Sequence, residues 1–195
     1  MTPPNTRIDI KALQHHVGAN ADGFWGPKSI KATQDHLRSF MPDVNPWPST
    51  DAASLRAFYG APGDESQLTV LTFPFPIYYE GKAVRSTRVH KKCAASLLRI
   101  LIAINAKYGT DRGIIEEAED YSGCFNFRMK RGGSTYSLHA YGAAIDFDAD
   151  DNTFQQHWPM QADMPIEIME EFAREGWISA GAFWGYDAMH FQATK

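Results

Sequence analysis

Two short stretches hold side chains whose types and spacing suit metal-assisted hydrolysis. The first is Ser137-Leu-His139-Ala-Tyr141-Gly-Ala-Ala-Ile-Asp146-Phe-Asp148, which sets an imidazole and a carboxylate seven residues apart. The second is Trp184-Gly-Tyr186-Asp187-Ala-Met-His190-Phe-Gln192, which adds another imidazole close to the end of the chain. His139, Asp146 and His190 offer two nitrogen ligands and one oxygen ligand. Three protein ligands with a fourth position open is the catalytic rather than the structural pattern for zinc. Asp187, three residues before the last ligand, is a free carboxylate where a general base is needed. Taken singly, each of these residues reads more simply as a hydrogen-bonded polar group; the joint pattern is the specific signal.

Ser-x-His, six intervening residues, an Asp on a short apolar strand, and then Asp-x-x-His resembles the D-alanyl-D-alanine carboxypeptidase family of zinc peptidases. That family includes phage L-alanyl-D-glutamate endopeptidases, and the resemblance runs from about Asp51 to Lys195. It implies Zn2+ as cofactor, peptidoglycan as partner and hydrolysis of a stem-peptide amide bond. An internal L-alanyl-D-glutamate-type cleavage is the first reading. Trimming of a terminal D-alanine by a D,D- or L,D-carboxypeptidase, or wall binding without catalysis on the same fold, are the alternatives. The resemblance further implies an arginine ahead of Ser-x-His that stabilises developing negative charge. Arg128 is the candidate, Arg131 the runner-up, and plain surface charge the competing reading for both. Ser137, Tyr141 and Trp184 are the candidate substrate contacts, with Tyr136 and Tyr186 as further groove walls. Turn capping by Ser137 and core packing by the aromatics compete with those roles. His157 lies in a polar segment without an acidic partner at that spacing and is the weaker ligand candidate. His90 reads as a packing or surface residue, and His15 and His16 as surface.

Composition narrows the partners. Nineteen Lys and Arg against 23 Asp and Glu leave a net charge of −4, which argues against a nucleic-acid partner. The segment Met1 to Thr6 lacks the apolar stretch of a secretory leader. The longest apolar run, Leu97 to Ala106, is too short to span a bilayer and carries Arg99 and Asn105. The expectation is a monomer without membrane insertion, made in a host cytoplasm and acting on the wall after release, as a phage endolysin does. Cys93 and Cys124 are too few for a disulfide framework and read as buried free thiols.

The elements that must position these groups suggest an α+β protein. Residues 1–40 form a helical module: Ile10, Leu13 and Val17 share a face, Gly18 stops that helix, and Pro27 starts the next, with Ile30, Gln34 and Leu37 on one side. Leu13-Gln14 followed by Asp22-Gly-Phe-Trp-Gly-Pro27 resembles the small peptidoglycan-binding module of wall hydrolases. Phe24 and Trp25 are then either core anchors or a sugar-stacking surface. Residues 41–50, rich in proline, predict a semi-rigid linker, and 51–195 the peptidase domain. Within it the pattern predicts a short helix ended by Gly60, a strand from Leu68 to Phe75, and a core helix over Val89 to Tyr108. The core helix would turn Ala94, Leu97, Leu98, Leu101 and Ile104 inward. Gly113 to Tyr121 is ambiguous between helix and strand, and the resemblance implies strand. Asp148 to Asn152 predicts a solvated acidic turn, Pro165 to Glu175 a helix, Gly181 to Gly185 a loop, and Met189 to Gln192 a final strand.

Overall fold

Period-two alternation builds the first sheet. A computed structural model describes residues 8–195; the leader reading, made on Met1 to Thr6, and the start of the helical module lie outside the described residues. In β1 (Leu68–Tyr79) Leu71, Phe73, Phe75 and Ile77 turn inward. The strand continues through Pro74 and Pro76 because the register with its partner slips between Thr72 and Ile77, where a missing N–H costs no ladder bond. That partner, β2 (Lys82–His90), pairs antiparallel with β1 and was not foreseen. Lys82, Arg85 and Arg88 mask its alternation, since the strand buries few residues before Val89. Val89 therefore belongs to the end of a strand instead of opening the core helix. That helix, α4, is Lys91–Tyr108, and the Nδ1 of its N-cap, His90, accepts the Lys92 N–H.

The second sheet holds the chemistry. Its antiparallel order is β3 (Tyr121–Gly123), β4 (Ala144–Phe147), β6 (His190–Gln192) and β5 (Ile178–Ser179). β4 and β6 are registered so that Asp146 lies opposite His190. Gly113 to Glu119 is helical: α5 (Arg112–Glu119) is capped by Asp111 and buries Ile115 and Ala118, and only Tyr121 to Gly123 is strand. The predicted loop after Ser179 is instead a short helix, α7 (Ala180–Trp184), ended by Gly185 in the left-handed region. Gly181 permits this packing, since a Cβ there would meet the Ala188 Cβ at 2.8 Å.

The core fills the space between β1, the second sheet and helices α4, α5 and α6 (Ile166–Arg174). Phe172 of α6 stacks on Phe191 of β6 at 4.0 Å, which fixes the helix under the strand that carries His190. On α4 the buried stripe is Cys93, Leu97, Ile100, Leu101 and Ile104, and Leu98, predicted inward, is 37% exposed. The acidic turn is also less solvated than expected. Asp148 and Asn152 are buried, and Asn152 donates to the Asp148 carboxylate at 2.7 Å and accepts from the Asp163 and Met164 N–H groups.

The helical module packs on this body. Gln14 of α1 (Ile10–His16) is buried, donating to Asp22 and the Phe24 carbonyl and accepting the Gly23 N–H, which pins the Asp-Gly turn. In α2 (Pro27–Phe40) the inward residues are Ser29, Thr33 and Leu37; Ile30 faces out. α2 packs against α6 and α7, and Trp25 sits edge-on to Trp158. The proline-rich segment 41–50 is a strap: Trp47 is buried with its indole N–H on the Glu175 carbonyl, and the Pro48 carbonyl accepts the Lys195 N–H. It leads into α3 (Ala52–Tyr59), capped by Asp51.

Candidate metal centre

Register and one tight turn bring the three predicted ligands together. Asp146 and His190 face each other across β4 and β6. His139 arrives on a single 3-10 turn, Leu138–Tyr141, whose first N–H groups need a cap; Ser137 supplies it by accepting the His139 N–H. Gly142, at φ 66°, ends the turn and lets it dock, because a Cβ would lie 2.9 Å from the His90 nitrogen. Its carbonyl accepts the His90 N–H at 2.8 Å, tying the turn to the start of α4.

The resulting cluster is compact and buried. His139 Nε2 lies 3.1 Å from Asp146 Oδ1 and 3.1 Å from His190 Nδ1, and His190 Nδ1 lies 2.8 Å from Asp146 Oδ1. The outer nitrogen of each imidazole has a fixed partner. His139 Nδ1–H donates to the Cys124 carbonyl at 2.6 Å, and His190 Nε2–H donates to Gln192 Oε1 at 3.2 Å. Gln192 in turn donates its amide to the Thr194 hydroxyl at 2.6 Å. The Cys124 carbonyl fixes His139 with its Nε2 lone pair toward Asp146, and with Nε2–H on Gln192 the His190 ring turns its Nδ1 lone pair to the same point. Three such atoms this close need a proton or a metal cation between them. A tetrahedral zinc site sets its ligand atoms roughly 3.3 Å apart, given bond lengths near 2.0–2.1 Å. The donor set and spacing thus fit zinc.

The electrostatics agree. Burial works against charge on Asp146, but His139 and His190 overrule it and hold the carboxyl well below the usual carboxylate range. Burial also disfavours charge on His190, yet Asp146, Asp187 and Gln192 raise that imidazole above its ordinary value. The centre favours positive charge among its acceptors.

Asp187 stands beside this group in a left-handed conformation, φ 60°, which aspartate tolerates better than most residues. Its backbone carbonyl accepts the His190 N–H, and its buried Oδ1 has no hydrogen-bond partner within the protein. A buried acceptor left open next to three ligands suits a base awaiting a proton. Burial pushes its carboxyl above the usual range; His190 opposes this and Asp146 adds to it.

A cleft of about 410 Å³ opens over the centre, lined by Asp146, His190 and Asp187 with Arg128, Arg131 and Trp184 among its walls. Arg128 is positioned by a short hairpin, in which its carbonyl accepts the Ser137 N–H. Trp184 stacks over His190 at 5.8 Å and is 41% exposed, so its free face borders the cleft. Ser137 caps the ligand turn, as the turn-capping reading expected, and it also lines the cleft. Tyr141 does not line the cleft. It is buried 6.1 Å from the Tyr59 ring and packs in the core, which corrects the expectation that it contacts substrate. A 3-10 turn points residues two positions apart in different directions, so Tyr141 faces the core while His139 faces Asp146 and His190. His157 is exposed, with Nδ1 on the Gly185 carbonyl, away from the ligands. Arg131, the runner-up to Arg128, lines the cleft as well, and so does Lys130, which no spacing or motif singles out. Cys93 and Cys124 are free and buried, as expected.

Residues 131–193 match the family model described as D-alanyl-D-alanine carboxypeptidase. This is a family of zinc peptidases, and the matched stretch contains His139, Asp146, Asp187 and His190. It is narrower than the resemblance over 51–195, and Arg128 lies just outside it. No curated protein and no solved structure matches the chain.

Proposed function

We propose that the protein is a zinc-dependent peptidoglycan peptidase that cleaves within the wall stem peptide, at an L-alanyl-D-glutamate-type bond. The observation that carries the peptidase reading is the convergence of His139, Asp146 and His190 beside a buried Asp187 oxygen without a partner, at the floor of an open cleft. The zinc peptidase family match supports it. A bound Zn2+ would be held by His139, Asp146 and His190; it supplies Lewis acidity and lowers the pKa of water to near 7.

The chain's own residues then have separate tasks. Asp187 Oδ1 accepts a proton from the attacking water and returns it to the departing amine. Arg128 and Arg131 at the cleft rim hold the substrate's carboxylates and offset negative charge on the scissile carbonyl. Trp184 walls one side, and the buried surroundings of Asp146 and His190 keep bulk water from the ligands. The helical module, residues 1–40, is read as a wall-binding unit, with Phe24 at 73% exposure as its free aromatic surface. A wall-anchored enzyme suits internal cleavage of polymeric substrate. No helix among the described residues is long and apolar enough to cross a membrane.

A second reading, a carboxypeptidase releasing terminal D-alanine, draws on the family model's description and on the cations at the cleft rim, which suit a terminal carboxylate. Mass spectrometry of muropeptides from purified wall separates the two. New amino termini inside the stem peptide support the endopeptidase; free alanine with intact stems supports the carboxypeptidase; intact wall in the presence of zinc overturns both.

A further inference from the structure

A second cluster lies where the helical module meets the body. His16 of α1, His36 of α2 and Glu170 of α6 present one ligand atom each, all within 4.8 Å of one another. His16 Nε2 stands 2.6 Å and His36 Nε2 2.7 Å from the same carboxylate oxygen, Glu170 Oε1. The two rings meet edge-on at 5.2 Å, and His36 is also held edge-on against Phe40. Glu170 is buried, and its ion-pair partners among the described residues are these two histidines. A buried carboxylate requires a compensating charge. Here the two groups nearest it are imidazoles that aim the same nitrogen at one point.

We infer that His16, His36 and Glu170 form a second divalent-metal site, of the borderline kind that imidazole and carboxylate select, such as zinc. Small outward shifts of the rings would bring the three atoms to the spacing of a tetrahedral ion. The His16 side chain is 38% exposed, so the fourth position faces solvent and the ion has a way in. The three ligands come from three helices, two in the module and one in the body. An ion there clamps the module onto α6, whose other face supports the strand of His190. The site is independent of the peptidase reading, because it shares no residue with the centre near Asp187.

Native mass spectrometry of the full chain in zinc tests this directly. The expected result is two ions per chain, falling to one in the His16→Asn/His36→Asn variant. In that variant the zinc-dependent rise of the thermal midpoint should shrink. The complementary His190→Ala variant should keep one ion, and adding His16→Asn should remove it. If circular dichroism shows the double variant unfolded, Glu170→Gln and the His190→Ala pair give the same count. A wild-type ion count, one or two, that is unchanged by loss of both His16 and His36 overturns the inference.

Discussion

The centre at Asp146 and the cluster at Glu170 both place two imidazoles against one carboxylate oxygen, yet they are built differently. At Asp146 each ring has a partner behind it, the Cys124 carbonyl for His139 and the Gln192 amide for His190, and all three ligands are buried. At Glu170 the rings are held by packing against each other and Phe40, and His16 reaches solvent. Outer partners orient ligands and set their basicity. The first design suits a centre where geometry must not drift during a reaction; the second suits a clamp, where an ion need only bridge elements. The carboxylate Asp187 completes the first centre, and the second has no counterpart in the proposed set.

That contrast can be broken most severely by removing a ligand. His190→Ala should abolish metal binding at the buried centre and lower wall hydrolysis by on the order of 10³-fold or more, since a cation contributes several kcal/mol of charge stabilisation. Zinc content and muropeptide release check it, and retained activity would dissolve the distinction between the two clusters. Asp187→Ala should leave metal content unchanged and cost about 10²–10⁴-fold in rate, the usual range for a general base. Lost zinc in that variant would make Asp187 a ligand instead. Gln192→Ala sharpens the comparison, because it removes only the partner behind His190. Metal affinity there should fall by roughly 10–100-fold, measured by competition with a chelator, with the Glu170 cluster unaffected.

The smallest effect comes from the packed interior that backs the first centre. Burial pushes the Cys93 thiol up to about 12 from an ordinary value of 9.0. The folded protein holds that proton more tightly than the unfolded chain, so its contribution to stability is full below pH 9.0 and is lost as pH rises toward about 12. Thermal midpoints over that window should fall, and Cys93→Ala should flatten part of the fall. Thiol reagents at neutral pH should label the native protein slowly.

The ligands of the first centre were legible because their signal is local: Ser-x-His, a fixed gap to Asp146 on an apolar strand, and Asp-x-x-His. The strand β2 was not, since its exposed face carries most of its length and lysine and arginine interrupt the alternation. Tyr141 shows the same limit at one residue. Its proximity to His139 suggested substrate contact, but a 3-10 turn points neighbouring side chains in different directions. His16 carried no local mark at all, because its partners lie 20 and 154 residues away.

Residue type and short-range spacing by themselves pointed to His139, Asp146 and His190 as a candidate donor set, to helices ended by Gly18 and Gly60, and to the α+β class. The tertiary structure alone decided the antiparallel register that sets Asp146 against His190, the Cys124 and Gln192 partners behind the two rings, the burial of Tyr141, and the meeting of His16 and His36 at Glu170. The reason is physical: caps, turns and periodic faces are energies of neighbours in sequence, whereas a lone pair's direction and a buried charge's partner depend on segments that only packing brings together.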